Sequence, residues 1–79
     1  MERNIVKKLV ENYTIDQLVE AEQALVEGEE LALEVEGQDA SEKLTYLLAA
    51  VYILEQVKLE GAEFYDAFRQ YTLQVRESI

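Results

Sequence analysis

The stretch from Asp39 to about Leu59 constrains the fold more than any other, because it is apolar on two sides at once. At about 100° per residue, Leu44, Leu47, Leu48, Val51 and Leu54 fall on one side of a helix, and Tyr46, Ala49, Ala50, Ile53 and Val57 fall on the other. A helix of that kind must be covered from both sides. Asp39-Ala-Ser-Glu42 supplies its start, with the Asp39 carboxylate as cap and Glu42 at the third helical position. Ala49 and Ala50 leave room for close helix approach, which marks the Tyr46, Ala49, Ala50, Ile53 and Val57 side as the expected seam with a second copy.

Three further helices are expected around it. Ile5, Val6, Leu9, Val10 and Tyr13 recur at helical spacing and define a helix from Ile5 to Tyr13. Thr14-Ile-Asp-Gln17 then reads as a capping box with Tyr13 and Leu18 placed as a hydrophobic staple, so a second helix runs from Ile15 to about Glu27. Gly28 supplies the left-handed position that closes it. After Gly61 the last helix spans about Ala62 to Ser78, with Phe64, Ala67, Phe68, Tyr71 and Val75 in one stripe. Arg69, Arg76 and Glu77 face water, and Leu73 lies opposite the stripe as a further interface residue.

Glu30 to Glu36 changes period. Leu31, Leu33 and Val35 alternate with Glu30, Ala32, Glu34 and Glu36, the pattern of an extended segment with one buried face. Either it lays three apolar side chains on the helices or it pairs with the same segment of a second chain. In a two-fold register centred on Leu33, Glu34 would face Ala32 and Glu30 would face Glu36.

Composition removes most chemistry. The 79 residues contain no His, Cys, Trp or Pro. No Ser-His-Asp triad, Cys nucleophile or zinc site of the usual kind can be assembled. With disulfides excluded, a domain this small needs very regular packing or a twin, and a homodimer is the expectation. Seventeen acids against seven bases give a net charge of −10. That field opposes nucleic acid and anionic membranes and attracts a basic protein partner or cations. The apolar run from Tyr46 to Leu54 is far short of the roughly 20 residues that span a bilayer, and the N-terminus lacks signal-peptide shape. A cytoplasmic location is therefore expected.

Two acids stand out. Glu22 falls within the apolar face made by Ile15, Leu18, Val19, Leu25 and Val26, and Glu55 falls on the Leu44/Leu47/Leu48/Val51 side of the third helix. Brought together they would share a proton or hold a hard cation. Pairing of Glu22 with a Tyr, Arg or Lys, or an opening of its face to solvent, is the structural alternative. Glu27, Glu29, Glu30, Glu34, Glu36 and Asp39 lack the spacing of an EF-hand loop and read as a solvated acidic face.

Size, acidity and four helices also suggest acyl carrier proteins, but that family's Asp-Ser-Leu is replaced by Asp39-Ala40-Ser41-Glu42, so Ser41 belongs to the helix cap. Val-Glu-Asn-Tyr-Thr (10–14), Glu-Gly-Glu (27–29), Glu-Val-Glu-Gly (34–37) and Leu-Thr-Tyr-Leu-Leu-Ala-Ala (44–50) resemble a family of small uncharacterised bacterial proteins. The resemblance implies a free-standing bacterial protein and brings no activity, ligand or catalytic residue.

The sequence thus predicts one all-α domain, residues 1–79, with three to four helices, a central third helix and an extended segment at about residues 30–36. The leading functional expectation is a non-enzymatic, cofactor-free, homodimeric interaction module whose acidic surface meets a basic partner. The alternatives are a decoy occupying the basic groove of a nucleic-acid-binding protein and a helical bundle with a Glu22/Glu55 cation or acid/base site.

Overall fold

The computed structural model describes residues 2–77, and side chains over residues 2–75. Four helices follow in order: α1 (Arg3–Asn12), α2 (Ile15–Glu27), α3 (Ala40–Glu60) and α4 (Phe64–Glu77). α4 begins two residues later than the periodicity suggested, and the Ser78 end expected for it lies outside the described residues, as do the side chains of Arg76 and Glu77.

Local chemistry sets the helix ends. The Gln17 N–H donates to Thr14 Oγ1 at 3.2 Å and the Thr14 N–H donates to Gln17 Oε1 at 2.9 Å, a complete capping box. At the other end of α2, Gly28 adopts φ 78°, its N–H donates to the Leu25 carbonyl, and the Glu29 N–H donates to the Ala24 carbonyl at 2.8 Å. This paired arrangement is a Schellman closure. Asp39 Oδ1 accepts from the Glu42 N–H at 2.8 Å to start α3. Only this half of the expected box forms there. Thr14→Ala and Asp39→Ala are each expected to remove about 1 kcal/mol of stability, or roughly 4–8 °C in Tm, with Thr14→Ser close to wild type; thermal melts followed by circular dichroism check this.

α3 is the axis of the molecule. α1, α2 and α4 each pack against it, and they touch one another little. Tyr46, Leu47, Ala49, Ala50, Ile53 and Leu54 are buried on α3 and span about 160° of its circumference. They meet Val6 and Leu9 of α1, Leu18 and Ala21 of α2, and Ala67 of α4 in one core. Ala49 and Ala50, both fully buried, allow this close approach. The expectation that these alanines, with Tyr46 and Ile53, form a seam with a second copy is therefore corrected: the chain's own helices cover that side. Leu48 and Leu59 fall on the opposite arc and are exposed.

The segment between α2 and α3 contains no strand among the described residues, and it bends at Ala32 and Leu33. Its apolar side chains nonetheless go inward, with Val35 buried and Leu31 and Leu33 packed on the core. Within the chain it is the connector that lays three side chains on the helices. Tyr46 carries a second tie, its hydroxyl accepting from the Glu2 N–H at 3.1 Å and holding the start of α1 to α3.

Candidate functional site

Glu22 and Glu55 do not form a buried acid pair. Leu18 and Ala21, with half-buried Leu25, centre the inward face of α2, and Glu22 lies about 65° to the side, partly open to solvent. Val26, assigned to the same face from sequence, is 69% exposed. Glu55 shares the outward arc of α3 with Leu48 and is also only partly covered. No polar or charged residue among the described ones is buried, and no three or more acids among them are grouped to hold a metal ion.

The residues assigned to an interface divide. Tyr46, Ala49, Ala50 and Ile53 belong to the core, as does Val35, while Val57, Leu31 and Leu33 pack against it. Leu73 is 46% exposed, as its position opposite the α4 stripe requires. Val75, placed within that stripe, is 40% exposed.

What the helix-by-helix reading missed is the distribution of cations. Lys and Arg occur at positions 3, 7, 8, 43, 58, 69 and 76, so residues 9–42 contain none, while the same stretch holds Glu11, Asp16, Glu20, Glu22, Glu27, Glu29, Glu30, Glu34, Glu36, Asp39 and Glu42. α2 and the connector make up most of this stretch, and the acids from Glu27 to Glu42 are all exposed. The signal was available as an absence of Lys and Arg along the chain rather than as a motif.

Two of the three cations of α1 contact α4. Arg3 lies 5.1 Å from the Tyr65 ring centroid and Lys7 Nζ lies 5.3 Å from it, and Lys7 Nζ also donates to the Tyr65 hydroxyl at 3.3 Å. This cation–π cluster links α1 to α4. Among the described residues the ion pair is Arg69 with Asp66, exposed at 3.4 Å, and such pairs contribute little. Among the described residues no carboxylate of α2 or the connector is within ion-pair distance of a Lys or Arg, although Lys8 lines a pocket with Glu34 and Glu36, and Lys43 lines one with Glu29, Glu30 and Glu34.

The connector also shapes the surface. On one side a groove of about 400 Å³ is lined by half-buried Leu25, Leu31 and Leu33 and buried Val35, which form its apolar floor, and by exposed Glu29, Glu30 and Glu34 with Lys43. Glu30 and Leu33 are shared with a second groove of about 320 Å³, lined further by Glu20, Ala21 and Ala24 of α2. Apolar floor and acidic edge therefore alternate along the connector.

On the α3–α4 side the Tyr52 and Tyr71 rings meet at 5.4 Å between centroids. Burial raises the Tyr71 phenol above its ordinary range. Its contribution to stability is complete below about pH 10 and is lost as pH rises through the native-state value. Tyr71 is a packing group.

A protein-family model matches the chain over residues 1–79. The chain belongs to a family of unknown function, DUF6952. The match takes in all four helices and the acidic connector, so both the α3-centred core and the grooved face lie within the family's extent. No curated protein and no solved structure matches it. No helix among the described residues is long and apolar enough to cross a membrane.

Proposed function

We propose that this protein is a non-enzymatic interaction module whose acidic face takes a basic protein partner. The observation that carries the reading is the cation-free stretch from residue 9 to residue 42, whose exposed carboxylates are gathered on α2 and the connector. A field of one sign raises the local concentration of opposite charge and speeds association, by about 10- to 1,000-fold in steered complexes. The same field repels nucleic acid, so the partner's surface rather than a nucleic acid is the natural target.

Affinity capture from the native cell at low and high salt, with mass spectrometry of the retained proteins, tests the reading. A defined basic protein held at low salt and released at high salt is expected, because screening shortens the reach of exposed charge to about 3 Å at 1 M. An empty low-salt capture would overturn it. Competition of that partner by DNA or RNA would identify the protein as a decoy for a nucleic-acid groove.

A further inference from the structure

We propose that the groove between the C-terminal end of α2 and the connector seats a basic segment of the partner, anchored by apolar side chains. This rests on the interaction-module reading and gives it a location and a recognition chemistry.

The groove is incompletely covered by the chain itself. Leu25, Leu31 and Leu33 are only half-buried while lining it. Its volume of about 400 Å³ falls within the size of sites that take a few apolar side chains. Lys43 lines the same groove and Lys8 lines the adjoining one with Glu34 and Glu36, but neither is within ion-pair distance of the three glutamates, which outnumber them.

Those two properties select the occupant. A neutral apolar ligand would take Glu29, Glu30 and Glu34 out of water with nothing to pair them, which is costly. A second copy of this chain would bring its own −10 charge to the same place. A solvated cation would leave the leucine floor uncovered. Apolar residues flanked by Lys or Arg satisfy floor and edge together, and a segment continuing past Glu30 next meets Glu20 and the Ala21/Ala24 floor of the second groove.

The test uses the full chain and a fluorescent synthetic peptide carrying leucines on one helical face and lysines on the other, with binding followed by anisotropy at low salt. Glu29→Gln/Glu30→Gln/Glu34→Gln is expected to weaken binding tenfold or more. Glu11→Gln/Glu60→Gln/Glu63→Gln, an equal change in net charge away from the groove, is expected to weaken it less than threefold. A peptide of unchanged charge with serine in place of leucine is expected to bind at least tenfold more weakly. Equal weakening by the two triple variants, or indifference to the serine peptide, would overturn the groove while leaving a diffuse acidic interaction surface in place. Failure of the leucine–lysine peptide to bind would also overturn the groove, whereas the interaction-module reading falls only with the empty cellular capture.

Discussion

Ile53→Ala is expected to lower the unfolding free energy by about 3 kcal/mol, within the 2–5 kcal/mol range of large-to-small core substitutions. Ile53 is fully buried on α3, on the side that faces the other helices, and it shares its core with Val6, Leu18, Leu47 and Leu54. Because α1 and α2 each touch α3 far more than they touch one another, a cavity here leaves neighbours that cannot close it by shifting onto one another. In a domain of 79 residues the change corresponds to a fall of roughly 12–24 °C in Tm. Leu48→Ala, on the outward arc of the same helix, is expected to cost less than about 1 kcal/mol, since Leu48 is already 42% exposed. Urea titrations of the two variants separate the faces of α3 directly, and equal losses would contradict the assignment of inward and outward sides.

Gly37→Ala should be the second most damaging change, at about 2 kcal/mol or more. Gly37 has φ 151°, outside the conformations that residues with a Cβ readily adopt, and a Cβ built on it would lie 2.9 Å from the Lys43 Cγ and 3.1 Å from the Lys43 backbone nitrogen. The Lys43 stem has rotamers to move, but its backbone is fixed in the first turn of α3. Strain and contact therefore add. Gly28→Ala provides the comparison: φ is also positive there, at 78°, but nothing lies within 4 Å of the added carbon. Only the backbone term of about 1 kcal/mol applies. A stability difference between the two variants in the same denaturant titration checks the close approach of the connector to α3.

The helix boundaries were legible because short-range chemistry sets them. Thr14, Gln17, Gly28 and Asp39 act within a few residues of themselves, and each does in the fold what its sequence position specifies. The coverage of α3 was not legible. Helical periodicity shows that two sides are apolar, but which side a neighbouring helix occupies depends on packing between residues distant in sequence. The smallest side chains, Ala49 and Ala50, became the place where the chain's own helices approach rather than a contact with a twin. Glu22 illustrates the same limit. A shift of about 70° in the inward axis of α2 moves it from the middle of a face to its edge. The acidic site lay in plain view as missing cations, yet its groove needed the connector to bend at Ala32 and Leu33, which alternating hydrophobicity does not encode.

Enclosure of α3 by the helices of its own chain is what leaves the connector face free for a partner. Equilibrium unfolding of the wild-type chain and of Ala50→Leu, followed from micromolar to millimolar protein, tests it most directly. The predicted result is a wild-type midpoint that does not move with concentration and an Ala50→Leu variant that is less stable by about 1–3 kcal/mol at every concentration, as overpacking of an interior site requires. A wild-type midpoint that climbs with concentration, together with an Ala50→Leu variant that loses this climb but keeps the stability of the dilute wild type, would contradict it.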